Sequence, residues 1–250
     1  MIYINGCSYT YGIGLCPYDE ADNCKNRSWG ALLSKKLNKE HINDAVPGSS
    51  NFRIFRDTVT YLTKNTPDLV IVMWSDPSRT EFFRPGEGEL GTIGMCQVTP
   101  QNTQNIKSFY HREAFESYYS FIHSREMTVL QTLSLQASIY EICKARKIPL
   151  IQFQYKNNIA RYLDAVLEDL EPNLKDPTIQ QYVDDVLELA DYLDDAPFNF
   201  GIRDHDYGSF DAYVKDYAMS EYSMGHPGPE AHEAMADHFK EIIEKNELIS

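Results

Sequence analysis

The sequence predicts a three-layer α/β sandwich, with a central, mainly parallel sheet and a helical insertion. Three observations lead there. Apolar runs follow the start (Ile2 to Ile4) and recur as "LVIVMW" and "IPLIQFQY", and a continuous run of this kind suits a strand buried on both faces. Between the runs, apolar residues return at helical spacing. Strands alternating with helices argue for a parallel sheet covered on both sides. The 250 residues suit a single domain, 1–250.

The elements follow in order. Ile2–Ile4 is the first strand, running directly into "NGCSYTYG". Ser28 is placed to cap a helix whose Trp29, Leu32, Leu33 and Leu37 share a face. A short strand is expected near His41–Ala45, then a turn at "PGSSN" and a helix marked by Phe52, Phe55, Val59 and Leu62. "LVIVMW", residues 69–74, is a strand of the kind buried on both faces. Residues 84–110 hold four glycines and little periodicity, so they read as a long loop. A helical pattern runs from about Glu113 to Arg146. One face carries Val129, Leu130, Leu133, Ala137 and Tyr140, and a second carries Leu135, Ile139 and Ile142. The strand at 148–155 follows. Alternation then lapses: two acidic helical patterns, 157–170 and 177–194, form an expected insertion at about 156–215, suited to cap one end of the sheet. An amphipathic helix with an Ala231, Ala234, Met235, His238, Phe239, Ile242, Ile243 stripe closes the chain.

The net charge is −14. Between Asp164 and Asp195, eleven acids meet one base, Lys175. Such a segment repels phosphate backbones and reads as a solvated face, so a nucleic-acid partner is not expected. No stretch approaches the roughly 20 apolar residues of a membrane span, and no secretory signal pattern is visible, so a cytoplasmic setting without membrane attachment is expected. Five scattered cysteines read as reduced thiols. Neither a metal nor a cofactor is expected. The spacing of Cys7, Cys16 and Cys24 matches no common zinc pattern, and the six-residue spacing of His226, His232 and His238 does not put ligands on one helix face.

In open α/β sheets, ligands bind at the carboxyl ends of the strands. Four polar or glycine-bearing segments qualify: Gly6-Cys7-Ser8, "NDAVPGSSN" from Asn43, "WSDPSR" from Trp74, and "GHPGPEAH" before the last helix. Ser8 is either a helix cap or a nucleophile, and Cys7 is its rival within the turn. Strand alternation sends the two side chains opposite ways. His232 and His238 lie on or beside an apolar stripe and read as structural. Arg79 suits either an internal salt bridge or a substrate carboxylate.

In order and spacing these segments resemble the SGNH (GDSL-like) hydrolases, a flavodoxin-like fold. Gly6, Ser8 and Thr10 match the first block, Gly48 the second, Met73-Trp74-Ser75-Asp76 the third, and His226-Pro227 the last. The layout is also similar to uncharacterised proteins of marine microbes and their phages, which makes a phage-encoded origin compatible with the sequence. The resemblance implies a serine esterase acting on a small-molecule or glycan ester, such as a glycan O-acetyl group. Its catalytic residues would be Ser8 and His226. Its oxyanion hole would be the backbone N–H groups of Ser8 and Gly48 with Ser75 or Asn51. Arg79 and Trp74 would bind substrate. Two positions depart from the pattern. Ser75 replaces the family's asparagine, and loss of one oxyanion donor lowers rate by roughly a hundred- to a thousandfold. Ser223 replaces the triad aspartate, which leaves Glu221, or Asp204 or Asp206, as the substitute carboxylate, or a Ser-His dyad. These departures motivate an alternative, a catalytically weakened member serving as a ligand-binding or structural, accessory subunit. A flavodoxin-like phosphate binder is a third reading, though no Lys or Arg stands beside the Gly6–Gly12 turn.

Overall fold

The computed structural model describes residues 1–84, 94–98, 109–155, 158–200, 210, 214, 217, 219 and 225–249. Its elements are β1 (Ile2–Asn5), α1 (Ser8–Tyr11), a 3₁₀ segment (Tyr18–Arg27), α2 (Trp29–Lys36), β2 (His41–Asn43), α3 (Asn51–Leu62), β3 (Leu69–Trp74), β4 (Thr80–Arg84), β5 (Gly94–Val98), α4 (Phe109–Phe121), α5 (Arg125–Ala145), β6 (Leu150–Gln154), α6 (Asn158–Leu170), α7 (Pro177–Asp194) and α8 (Pro229–Lys245). The main sheet has the order β2-β1-β3-β6, with every pairing parallel. Helices cover both faces, which makes the protein the α/β sandwich that its alternating strands and helices predict.

Period-two alternation explains both layers. Ile2, Ile4, Leu69, Ile71 and Met73 point to the layer of α2 and α8, where they meet Trp29, Leu33, Met235 and Phe239. Tyr3, Val70, Val72 and Trp74 point the other way, to Ile54 and Leu62 of α3 and Ile139 and Cys143 of α5. Every residue of β1 and β3 is buried, as continuous apolar runs require. α6 and α7 pack on the remaining face of α5 through Val129, Leu133, Leu163, Val166, Val186 and Leu193. Their acidic residues are exposed. That segment also touches the sheet: Phe200 N–H donates to the Gln152 carbonyl and Gln152 N–H to that of Phe198, a one-residue bridge beyond β6. No helix among the described residues is long and apolar enough to cross a membrane.

Four expectations need correction. The loop expected at 84–110 contains a strand, β5, which pairs antiparallel with β4 from Thr80↔Val98 to Arg84↔Gly94. The helical pattern expected at 113–146 is interrupted at 122–124, because the Ser124 hydroxyl accepts the Met127 N–H and starts α5 afresh. On α3 the buried stripe is Ile54, Thr58 and Leu62, whereas Phe52 is exposed. Ser28 occupies the N-cap of α2 without capping it, since its hydroxyl donates to the Lys25 carbonyl. The first N–H of that helix, Trp29, is instead accepted by His232 Nδ1 at 3.0 Å.

Candidate functional site

The strand order reverses between β1 and β3. The chain leaves β1 toward β2 on one side and leaves β3 toward β6 on the other, so the loops after β1 and β3 diverge and leave a crevice at the carboxyl edge. Gly6-Cys7-Ser8 forms one lip. Gly6 is required there by contact: a Cβ would lie 2.3 Å from Thr10 Oγ1 and 3.1 Å from the Met73 carbonyl oxygen. Asn5 pins the turn to α3. Its Nδ2 donates to the Ile54 carbonyl and Thr58 Oγ1, and its Oδ1 accepts the Gly6 N–H at 2.7 Å. Cys7 is fully buried in the core, whereas Ser8 opens α1 with 8% exposure. Among the described residues, the Ser8 hydroxyl makes no hydrogen bond.

The chain after β2 stays bonded to β1, with Asp44 N–H on the Ile4 carbonyl and Val46 N–H on that of Gly6. It then turns at Gly48, whose φ of 75° is a left-handed conformation that favours glycine. Ser50 caps α3 by accepting the Arg53 N–H. This delivers Asn51 to the crevice, 4% exposed. Its Oδ1 accepts the Ser75 backbone N–H at 2.8 Å. That bond fixes the amide orientation, because an N–H can only meet the oxygen. The Nδ2 therefore faces Thr132 Oγ1, at 3.4 Å.

After β3, Ser75 and Arg79 are joined: Arg79 Nη1 donates to the Ser75 hydroxyl at 2.7 Å, and the guanidinium lies 5.9 Å from the centre of the Tyr155 ring. No carboxylate pairs with Arg79 among the described residues. Trp74, expected as a substrate platform, is instead fully buried. Its indole N–H donates to Gln152 Oε1 at 2.9 Å, so it belongs to the core beneath the site.

The residue that ties the last segment to this edge is Tyr9. Its hydroxyl donates to the Gly225 carbonyl at 2.6 Å, and its ring lies 5.1 Å from the His226 ring and 4.6 Å from Tyr155. His226 is half-buried at the start of the run into α8. One turn inside α8, His232 is fully buried, and burial, with a smaller contribution from His226, pushes its pKa down to about 3. It is structural, as expected. Burial also lowers the pKa of the half-buried His238. Glu221, Ser223, Asp204 and Asp206 lie outside the described residues. Among the described residues, no group of three His, Cys, Asp or Glu is placed to hold a metal ion.

The structure thus brings Asn51, Ser75 and Arg79 into one bonded chain, and brings His226 to the residue that follows Ser8. Sequence reasoning missed the roles of Tyr9, Asn5 and His232. Tyr9 had a signal in its place beside Ser8, diluted by seventeen tyrosines in the chain.

The sequence matches a family described as a family of unknown function (DUF6071) over residues 13–147. That stretch holds Gly48, Asn51, Ser75 and Arg79, begins after Ser8 and ends before His226. No curated protein matches the chain. Among solved structures it is similar to a putative lipolytic protein of the G-D-S-L family from Desulfitobacterium hafniense, at 9% identity over 96% of this chain and 98% of that one, with a TM-score of 0.48. It is similar to TesA at 12% identity over 99% of each chain, with a TM-score of 0.47. It is also similar to a family two carbohydrate esterase from Clostridium thermocellum in complex with cellohexaose, at 13% identity over 99% of this chain and 65% of that one, with a TM-score of 0.47.

Proposed function

The chain belongs to DUF6071, a family of unknown function, and we propose that it is a serine esterase that hydrolyses a small ester, with a glycan O-acetyl group as one candidate substrate. The observation that carries this reading is the position of Ser8. It stands at the carboxyl end of β1, at the point where strand order reverses, and its neighbour Tyr9 holds the Gly225–His226 segment. In this reading Ser8 Oγ attacks the ester carbonyl while His226 takes the hydroxyl proton. The C–O bond to the alcohol then breaks, and His226 returns that proton to the leaving oxygen. Water, deprotonated by His226, then attacks the acyl carbon; the bond to Ser8 Oγ breaks, His226 returns the proton to that oxygen, and the acid leaves. Catalytic hydrogen bonds are commonly long until substrate tightens them, so the Ser8–His226 bond would form in the substrate complex.

The oxyanion would meet the Ser8 and Gly48 backbone N–H groups, with a further donor from the Ser75 hydroxyl or Asn51 Nδ2. Asn51 thereby stands in for the amide that Ser75 lacks. Glu221 is the proposed partner of the His226 imidazolium. A second reading, a weakened member of the fold that binds a ligand or serves as an accessory subunit, is motivated by the two departures at Ser75 and Ser223.

A fluorophosphonate probe tests the proposal. Labelling of Ser8, lost in Ser8→Ala, together with hydrolysis of a small acetyl ester, is expected. Absent labelling in a protein with native near-ultraviolet circular dichroism would favour the binding role. Glu221→Gln should lower turnover by orders of magnitude if that carboxylate serves His226, whereas Ser223→Asp should raise turnover if the site works as a dyad.

A further inference from the structure

A small cavity of about 80 Å³ lies between the start of α3, the β3–β4 loop, the α4–α5 turn and the first half of α5, and two of its wall residues, Asn51 and Arg79, are bonded to Ser75. Asn51, Arg79, Thr80, Tyr118, His123 and Thr132 contribute to its walls. It is far smaller than the roughly 300–1,000 Å³ of pockets for drug-sized ligands, so it suits a group of a few heavy atoms.

The polar groups around it are donors or proton acceptors that protein partners leave in part unused. Arg79 gives one N–H to Ser75, and among the described residues no other protein group accepts from it. A guanidinium carries five such donors. In a chain of net charge −14 an arginine with no carboxylate partner among the described residues is informative, because acids to pair with it are abundant. Its neighbour Asp76 turns to Ser78 instead, whose N–H and hydroxyl both donate to Asp76 Oδ1, at 2.9 and 2.7 Å. Asn51 brings its Nδ2, since its Oδ1 is held by Ser75.

His123 completes the wall. The Thr128 hydroxyl donates its only proton to the Ser124 carbonyl at 2.8 Å. At its 2.8 Å contact with His123 Nε2 the ring must therefore be the donor, which leaves Nδ1 without a proton. Burial lowers the pKa of this imidazole, against a smaller opposing effect of Asp76. It rests neutral, and an anion beside it would favour its protonated form.

We propose that this cavity binds a small carboxylate carried by the substrate, so that the preferred esters are half-esters of short dicarboxylic acids. A planar carboxylate matches the fork of Arg79 and leaves Asn51 Nδ2 and His123 to the flank. The identity of the ester rests on the esterase reading above, whereas the anion site does not.

The test separates the two. Monomethyl succinate, acetate and inorganic phosphate are titrated calorimetrically into the Ser8→Ala protein, which cannot turn over. Monomethyl succinate should bind, and Arg79→Gln should weaken it by roughly ten- to a hundredfold, the range for a hydrogen bond to a charged group. His123→Asn, on the opposite wall, should also weaken it and covers the case in which the arginine variant fails to fold. In the Ser8-containing protein, kcat/KM for aryl monosuccinate should exceed that for aryl acetate, and Arg79→Gln should shrink the ratio by a similar factor. Binding that depends on Arg79 in a protein without esterase activity would leave the anion site standing and sink the esterase. Ester turnover with no preference for the acid, and no binding, would do the reverse. Phosphate binding as tightly as the half-ester would overturn the assignment to carboxylate.

Discussion

The backbone N–H of Trp29 donates to Nδ1 of His232 at 3.0 Å, joining the first turn of α2 to the interior of α8 across 203 positions of sequence. Nδ1 can accept only if it carries no proton, so the bond requires a neutral ring. Burial enforces that state and depresses the pKa from its ordinary 6.5 to about 3. Depression means that the unfolded chain takes up the proton first. The stabilisation is then fully present above about pH 6.5 and is lost as pH falls toward 3. Burial lowers the pKa of His41, His123 and His238 as well, so they act in the same direction. Urea midpoints measured between pH 7 and pH 4 should fall by an amount worth a few kcal/mol, of which His232 supplies the largest part. His232→Asn offers an amide oxygen to Trp29 without a titrating ring and should flatten that slope. An unchanged slope in the variant would place the proton uptake elsewhere.

Asn51 should prove to have two separable roles. Its oxygen satisfies the buried Ser75 N–H, and its nitrogen, which gives one N–H to Thr132 Oγ1, has a second that would serve a developing oxyanion in the proposed mechanism. Asn51→Ala removes both. It should lower stability by about 1–3 kcal/mol through the orphaned N–H and lower turnover by roughly a hundred- to a thousandfold. Asn51→Asp keeps an acceptor for Ser75 and loses the donor, so it should reproduce the loss of turnover even where the Ser75 contact is retained. Comparing kcat for the two variants, with unfolding curves alongside, decides the point. Full turnover in Asn51→Asp would remove Asn51 from the oxyanion hole.

Gly6→Ala tests how tightly the turn before Ser8 is packed. The added methyl would meet Thr10 Oγ1 at 2.3 Å and Thr10 Cβ at 2.9 Å. Overpacking of this kind lowers stability by roughly 1–3 kcal/mol. Thr10 Oγ1 is buried and has no hydrogen-bond partner among the described residues, so Thr10→Ala loses no bond seen there. The double variant should recover part of the loss, and the non-additive term measures the clash directly. A double variant no more stable than Gly6→Ala would mean that the Met73 carbonyl, at 3.1 Å, sets the limit instead.

What was legible in the sequence divides along a physical line. The strands β1, β3 and β6 announce themselves because burial on both faces leaves no room for polar residues, and so do the helices with a 3.6-residue stripe. The β4–β5 hairpin was hidden because its strands flank a glycine-rich run and "GMCQV" has no strong alternation. On α3 the sequence points to Leu62, which is buried, and to Phe55 and Val59, which pack against the core, but Phe52 is exposed and the fully buried Ile54 stands in its place. At the site, Ser8, Gly48 and Ser75 were readable as strand-end positions. Asn51 came only as a substitute, and its bond to Ser75 depends on two loops meeting in space. The same holds for Tyr9 and His232, whose partners lie 216 and 203 residues away, where no local period reports them.

Tyr9→Phe tests whether the segment bearing His226 is positioned by the residue beside Ser8. The Tyr9 hydroxyl donates to the Gly225 carbonyl at 2.6 Å, and the ring lies against His226, Tyr155 and Phe210. Phenylalanine keeps the ring contacts and removes only the hydroxyl. A hydrogen bond of this type is worth about 0.5–1.5 kcal/mol, so the thermal midpoint should shift by a few degrees at most. If the bond merely adds stability, kcat and its pH profile will follow the parent enzyme. If it sets the place of His226, kcat should fall by roughly tenfold or more while KM changes little, because the ground-state contacts with substrate stay in place. Tyr9→Leu, which removes the ring as well, should deepen the loss of kcat beyond its effect on stability. Parent-like kcat in Tyr9→Phe would show that the hydrogen bond to Gly225 does not set the place of His226.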